Sequence, residues 1–315
     1  MSSNGENSES HPLVPRGPPK KMTWKELVKE QADNDNLKGA TCAVYSKNMN
    51  DPNHQETQCV CGRLASQHSF IGQPKTKFRN AQRWIPQLAI EVDVTHYGQL
   101  ENGARFIRCD TENDTFKTLV EIIVKDVSTE PKLLVSCYGG AGYFTMTDDL
   151  EREFMSGIGQ VAATKDVWIL TTGLNSGVSG LIAEGVHRNI LLNEDIWKPI
   201  ALENQSTTPQ VLGTSLHEND DKALDKYHTH FLLLDDGRLK HYLNDGPRSE
   251  FVKATCDQTH CHAITIIVEG GLNTLEVIQN DLNAQRPIVI VHGSGRLATV
   301  LGNLLEKAGK TATIT

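Results

Sequence analysis

The chain has no run of apolar residues long enough to cross a membrane. Its apolar runs are short, as at Leu133–Val135 and at Ala263–Val268, the latter broken by Thr265; a membrane helix needs about 20 such residues. It has no basic excess either: the formal charge is −8 and the isoelectric point is near 5.8. Binding to a phosphate backbone needs a basic field, so the charge speaks against a nucleic-acid partner. The opening residues Met1–Ser10 are polar and lack the apolar core of a secretory leader. The seven cysteines, an odd number, then read as cytosolic thiols or metal ligands rather than a disulfide framework. The G-x-x-x-x-G-K-S/T and G-x-S-x-G patterns are both missing, which removes P-loop ATPases and elbow-type serine hydrolases.

What is present is a chain of 315 residues with 38% apolar side chains and 25 glycines. That is enough for a packed core in one large α/β domain or two modest ones. Residues 1–38 are polar and charged with few apolar anchors, and read as a flexible segment with a short helix at Trp24–Glu30. Residues 39–83 form a turn-rich segment carrying Cys42, His54, Cys59, Cys61 and His68. From residue 84 to 315 the pattern becomes regular. Leu88–Val94 alternates as a half-buried strand, Arg105–Arg108 is a second, and Phe116–Val127 has helical apolar spacing.

After Pro131, short continuous apolar strands alternate with amphipathic helices. The strands are Leu133–Ser136, Val167–Leu170, Phe231–Leu234, Ile264–Val268 and Ile288–Val291. Residues 193–228 look irregular apart from a strand near Gln210–Thr214, and Thr311–Thr315 reads as a last short strand. Buried strands alternating with helices predict a Rossmann-like α/β fold, a parallel sheet with helices on both faces, preceded by the Cys/His-rich segment.

Four of these strands end in glycine-rich turns: Gly139-Gly140-Ala141-Gly142, Thr172-Gly173 through Gly177, Gly270-Gly271, and Gly293-Ser294-Gly295. Such turns lie along the carboxyl edge of a parallel sheet, where backbone amides and helix N-termini can receive a phosphate. Gly293-Ser294-Gly295-Arg296-Leu297-Ala298 has the G-x-G-x-x-A form, but the chain ends about where the ribose-binding acid of a dehydrogenase would come. Arg296, inside that turn, is either a diphosphate clamp or half of a surface salt bridge.

Three clusters have metal-binding residue types. Cys42, Cys59, Cys61 and His68 could complete a closed, structural zinc tetrahedron, or could be reduced thiols in a loop. Cys256, His260, Cys261 and His262 abut a buried strand and read as helix-end and strand-entry residues. His228 and His230, with Asp235 and Asp236 beyond them, lack a third histidine at suitable spacing and read as structural.

Glu269-Gly270-Gly271-Leu272-Asn273-Thr274-Leu275-Glu276 resembles the P-G-G-x-G-T-x-x-E motif of the LOG-type nucleotide phosphoribohydrolases, with Glu269 in place of Pro and Asn273 in place of Gly. In those enzymes the glycines cradle a phosphate and the last Glu, here Glu276, serves glycosidic cleavage. Their R-H-x-x-K helix motif is absent here. A wider set of strings resembles the N-terminal homology region of the melastatin subfamily of TRP cation channels, whose core belongs to the same SLOG superfamily. That set comprises Cys59-Val60-Cys61-Gly62-Arg63 with His68, Leu134-Val135-Ser136 with Gly139–Ala141, Trp168-Ile169 to Gly173 with Gly177-Val178, His228–Phe231 with Asp235-Asp236-Gly237, Glu269-Gly270-Gly271 with Thr274-Leu275, and Gly293–Arg296.

The likeness is greatest to the ADP-ribose-gated member. It implies a cytosolic position beneath a tetrameric plasma-membrane channel, contact with the channel's other domains and subunits, and a binding rather than an enzymatic role. It also implies an ADP-ribose site, with Tyr242 at the adenosine part and Arg248 and Arg296 at the diphosphate. Gly139, Gly140, Ala141, Thr172, Gly173, Gly270, Gly271, Thr274, Gly293, Ser294 and Gly295 would supply the cradle. Three departures from the family pattern stand out: one residue fewer between Tyr242 and Arg248, Leu174 in place of a second Gly, and Gly142 in place of Lys. The other readings are a phosphoribohydrolase using Glu276 and a channel assembly module that binds no nucleotide.

Overall fold

The structure, a computed structural model, describes residues 21–34, 36–37, 96–109, 111, 113–140, 142, 146–190, 200–204, 223–234 and 244–312. They build an eight-stranded sheet between two layers of helices. In chain order the elements are α1 (Trp24–Asp33), β1 (His96–Gln99), β2 (Arg105–Cys109), α2 (Asn113–Val127) and β3 (Leu133–Gly139). Then come α3 (Asp148–Ala162), β4 (Val167–Thr171), α4 (Gly177–Ile190), β5 (Ile200–Asn204) and β6 (His230–Leu234). The last are α5 (Gly246–Thr259), β7 (His262–Val268), α6 (Thr274–Asn283), β8 (Ile288–Ile290) and α7 (Arg296–Ala312).

The strand order is β1-β2-β6-β5-β4-β3-β7-β8. Only β1 runs antiparallel to its neighbour; every other pairing is parallel. The central strands β4 and β6 are mostly apolar because both of their faces are covered, and all five residues of each are buried, Thr171 and His230 included. On one face, Leu134, Trp168, Leu170, Leu232 and Leu234 pack against Leu27 and Val28 of α1, Phe116, Leu119 and Ile123 of α2, and Phe251 and Val252 of α5. On the other, Val135, Cys137 and Ile169 meet Ile158 of α3 and Val178, Ile182 and Val186 of α4. Residues one apart along β3 therefore serve opposite cores, as the period of a strand requires.

Several elements differ from the sequence reading. The helix expected at Trp24–Glu30 continues to Asp33 and is anchored in the first core by Trp24, Leu27 and Val28. Its start is fixed by a capping box in which Thr23 Oγ1 accepts from the Glu26 amide and the Glu26 carboxylate accepts from the Thr23 amide. The Trp24 indole N–H donates to the Phe106 carbonyl at 3.1 Å, so this helix is tied to β2. The stretch read as irregular contains β5, paired in register with β6 from Ile200↔His230 to Asn204↔Leu234. Thr311 and Ala312 close α7 instead of opening a strand. The strands expected at Leu88–Val94 and Gln210–Thr214 lie outside the described residues.

Candidate ligand site

From β3 the chain winds outward through β4, β5 and β6, then crosses back past β3 to β7 and β8. The turns leaving β3 and β7 therefore diverge to opposite sides, and the two strands are direct neighbours, paired from Leu133↔His262 to Gly139↔Val268. This is a topological switch point, the position at which open parallel sheets bind ligands. Gly139 and Gly140 leave β3 there, facing Glu269, Gly270 and Gly271, which leave β7. Close packing of the two turns explains the glycines. A Cβ on Gly139 would overlap the Val268 carbonyl, and one on Gly140 would overlap the Glu269 carboxylate.

Glu269 is the centre of this edge. Its side chain is only 9% exposed and lies against Gly140, with its Cγ beneath Gly295. Its backbone is left-handed (φ 57), an unfavourable conformation for a non-glycine residue. Arg296 is the only other residue of these turns with a left-handed, non-glycine backbone (φ 33) among the described residues. Such conformations cost roughly 1–3 kcal/mol each and persist where the surroundings over-determine them. Here the surroundings are a set of hydrogen bonds between turns. The Glu269 amide donates to Ser294 Oγ at 2.8 Å, and that hydroxyl donates to the Val291 carbonyl at 2.6 Å. The Leu297 and Ala298 amides donate to the carbonyls of Gly270 and Glu269 at 3.3 and 2.8 Å.

The Arg296 guanidinium comes to 3.5 Å from Glu269 Oε1 and lies over Gly271, yet its side chain stays 65% exposed. The arrangement offers an incoming anion one accessible guanidinium beside the N-terminal ends of α4, α6 and α7. It also opposes the anion with a buried carboxylate. The chemistry available is exchange: a phosphate can take the guanidinium from Glu269.

A family model described as "SLOG in TRPM" matches residues 104–314. The chain belongs to that family. It is 27% identical over 279 residues to human transient receptor potential cation channel subfamily M member 6, covering 78% of this chain and 14% of that protein. It is 25% identical over 304 residues to mouse subfamily M member 2, covering 86% and 20%. It is also 26% identical over 294 residues to subfamily M member-like 2 of Nematostella vectensis, covering 79% and 18%. The chain thus spans a fifth or less of the length of these relatives.

In this SLOG domain the two predicted arginines have separate fates. Arg248, 5% exposed, sits on α5 beneath the sheet. Its Nε donates to Asp245 Oδ1 at 2.5 Å, and Nη2 donates to Asp245 Oδ2 and Asp281 Oδ1 at 2.8 and 3.0 Å. Nη1 approaches Ser136 and Thr265 hydroxyls at 3.3 and 3.4 Å. Burial works against this charge, but the Asp245 hydrogen bond and the Asp245 and Asp281 carboxylates outweigh it and raise its pKa. Two carboxylates already neutralise the guanidinium. Arg248 also lines a small cavity with Ser136, Cys137, Tyr138, Leu170, Thr171 and Thr172, whose free volume of about 10 Å³ is that of roughly one water molecule.

The other expected contacts are also redistributed. The sequence reading offered helix-terminal amides to a phosphate, but several already have carbonyl partners. Besides Leu297 and Ala298, Val178 donates to the Gly140 carbonyl at 3.0 Å and Thr274 to the Gly271 carbonyl at 3.0 Å. Ser294 is fully buried as the tie between turns, and Thr274 is buried against Gly270. The Gly173 amide is held by Thr171 Oγ1 and Ser179 Oγ at 3.0 and 2.9 Å. Gly270, Gly293 and Gly295 have positive φ values of 79, 85 and 112 and shape the turns. Glu276 lies exposed in the first turn of α6. Tyr242 and Ala141 lie outside the described residues, as do Cys42, Cys59, Cys61 and His68.

The two sequence histidines are structural here. His228 Nδ1 donates to Asp225 Oδ1 at 3.0 Å, and its Nε2 hydrogen-bonds Thr171 Oγ1 at 2.7 Å. His230 Nε2 meets Asp126 Oδ2 at 3.0 Å, and Arg105 Nε reaches the same oxygen at 2.8 Å. Among the described residues, no group of three or more His, Cys, Asp or Glu is placed to hold a metal ion. The residue that sequence reading missed is Glu269. Its signal was the substitution of an acid for proline at the head of the glycine motif.

Proposed function

We propose that this domain is a cytosolic ligand-sensing module of a cation channel, and that it binds ADP-ribose or a related adenine nucleotide at the β3/β7 edge. One observation carries the reading: an exposed arginine, Arg296, in a left-handed turn at the topological switch point, held among the described residues by a 3.5 Å ion pair. The likeness to subfamily M channels supports the setting, and the motif resemblance supports the ligand class. On binding, the diphosphate takes the Arg296 guanidinium from Glu269, and the N-terminal dipoles of α4, α6 and α7 add to the attraction. Coupling to a pore requires the ligand to favour one conformation of the domain. A hundredfold preference supplies about 2.7 kcal/mol per subunit.

Calorimetric titration of the chain with ADP-ribose, its cyclic form and AMP tests the reading. Saturable heat with at least one of them is expected. No heat and no thermal shift with any of the three contradicts it. Release of free base from AMP, abolished by Glu276→Gln, would instead establish a phosphoribohydrolase.

A further inference from the structure

The cluster Cys256, His260, Cys261 and His262 lies at the end of β7 away from the glycine turns. Cys256 sits in the last turn of α5, and Cys261 immediately precedes β7. Between them the chain reverses through His260, which ends α5 in the left-handed conformation (φ 54). The reversal brings the two sulfurs within 3.7 Å, in hydrogen-bond contact, while both remain free thiols. A disulfide needs about 2 Å between sulfurs, so the two must draw closer for the bond to form.

In the dithiol Cys261 Sγ donates to Cys256 Sγ at 3.7 Å. When one thiol of the pair ionises, the other can turn its proton toward the thiolate and stabilise it, so the pair gives up its first proton more readily and its second less readily than an isolated thiol. Around Cys256 the Arg286 guanidinium favours negative charge and Asp257 opposes it. Elsewhere among the described residues Cys137 is enclosed, and burial alone pushes it up to about 12. Thiolate character decides which cysteine reacts with oxidants. Cys261 is buried and Cys256 half-buried, so small oxidants reach the pair from the Cys256 side.

We propose that Cys256 and Cys261 form an oxidisable dithiol whose co-substrate is a hydroperoxide. One thiol of the pair attacks the peroxide as its thiolate: an S–O bond forms, the O–O bond breaks, and the departing oxygen takes a proton and leaves as water or alcohol. The other thiol then attacks the resulting sulfenic acid at sulfur. An S–S bond forms, the S–O bond breaks, and the second thiol's proton leaves with the hydroxyl as water. Two sulfurs lose two electrons in total, and one hydroperoxide gains them. The bond would fasten the C-terminal end of α5 to the start of β7. The glycine turns lie at the other end of that strand, so the modification is separate from the ligand edge.

Peptide mapping of the intact chain after brief treatment with hydrogen peroxide tests the assignment. Trypsin leaves both cysteines in the peptide that begins at Ala254. That peptide should lose two hydrogens, resist alkylation, and regain both thiols on reduction with dithiothreitol. In Cys256→Ser and in Cys261→Ser the remaining thiol has no partner, so peroxide should leave a sulfenic acid that dimedone traps and no internal disulfide. Full alkylation of both thiols in the treated wild-type chain, or oxidation of Cys137 ahead of them, overturns the proposal. ADP-ribose affinity should be the same for the reduced and oxidised chains.

Discussion

Glu269 and Arg296 face one another across the turns that close β7 and β8, 3.5 Å apart at their nearest charged atoms, one nearly enclosed and the other largely in solvent. Both have left-handed backbones, and hydrogen bonds from Leu297 and Ala298 to the β7 turn hold them in place. The edge therefore already contains an anion. The carboxylate fills the space that a Cβ on Gly140 would take, and any phosphate arriving at Arg296 competes with it.

Removing that competitor should tighten binding. Glu269→Gln keeps the shape of the side chain and deletes its charge, and ADP-ribose affinity is expected to rise about fivefold, roughly 1 kcal/mol for a partly screened charge. Calorimetry on the two proteins at equal ionic strength measures it. Weaker binding would mean that the carboxylate receives ligand donors rather than excluding phosphate.

Arg248 should behave as a structural residue. Its removal leaves the enclosed Asp245 without its guanidinium partner and leaves Asp281 paired with Arg286 alone. Losing one partner from a buried ion group typically costs about 3–5 kcal/mol. Urea unfolding of Arg248→Met should show a loss of that order. A variant with wild-type stability that fails to bind ADP-ribose would return Arg248 to the ligand.

Much of the fold was legible because buried parallel strands ending in glycine leave a strong pattern, and β3, β4, β6, β7 and β8 appear where that pattern predicted them. The failures have physical reasons. α5 opens with Gly246-Pro247 and buries Arg248 and Thr255 together with Phe251 and Val252, so it shows no clean apolar stripe. The resemblance implied a ligand contact for its arginine, whose pairing with Asp281, thirty-three residues later, is not legible from the sequence. The glycine turns did locate the candidate edge, but sequence cannot show that neighbouring turns use up helix-terminal amides. Nor could it show that Glu269 would fold back between Gly140 and Gly295.

Acid should destabilise the domain through His230 and Asp126. Burial depresses His230 below its ordinary 6.5, and the nearby Arg105 charge adds to this against the attraction of Asp126. As pH falls through about 6.5, the unfolded histidine takes a proton that the folded one resists, so stability is lost. Burial raises Asp126, but the His230 hydrogen bond and the charges of His230 and Arg105 outweigh it and leave it below its ordinary 3.8. Its contribution is therefore present above about 3.8 and is lost as pH falls through the lower folded value. Urea midpoints should drop between about pH 7.5 and pH 5.5, and His230→Gln should flatten that limb.

The most direct measurement is the affinity of Arg296→Ala for ADP-ribose, read with its melting temperature. The side chain is largely exposed, so thermal stability should stay near that of the wild type. Affinity should fall at least about tenfold, equivalent to roughly 1.4 kcal/mol. Unchanged affinity in a normally folded Arg296→Ala protein would contradict the β3/β7 edge as the nucleotide site.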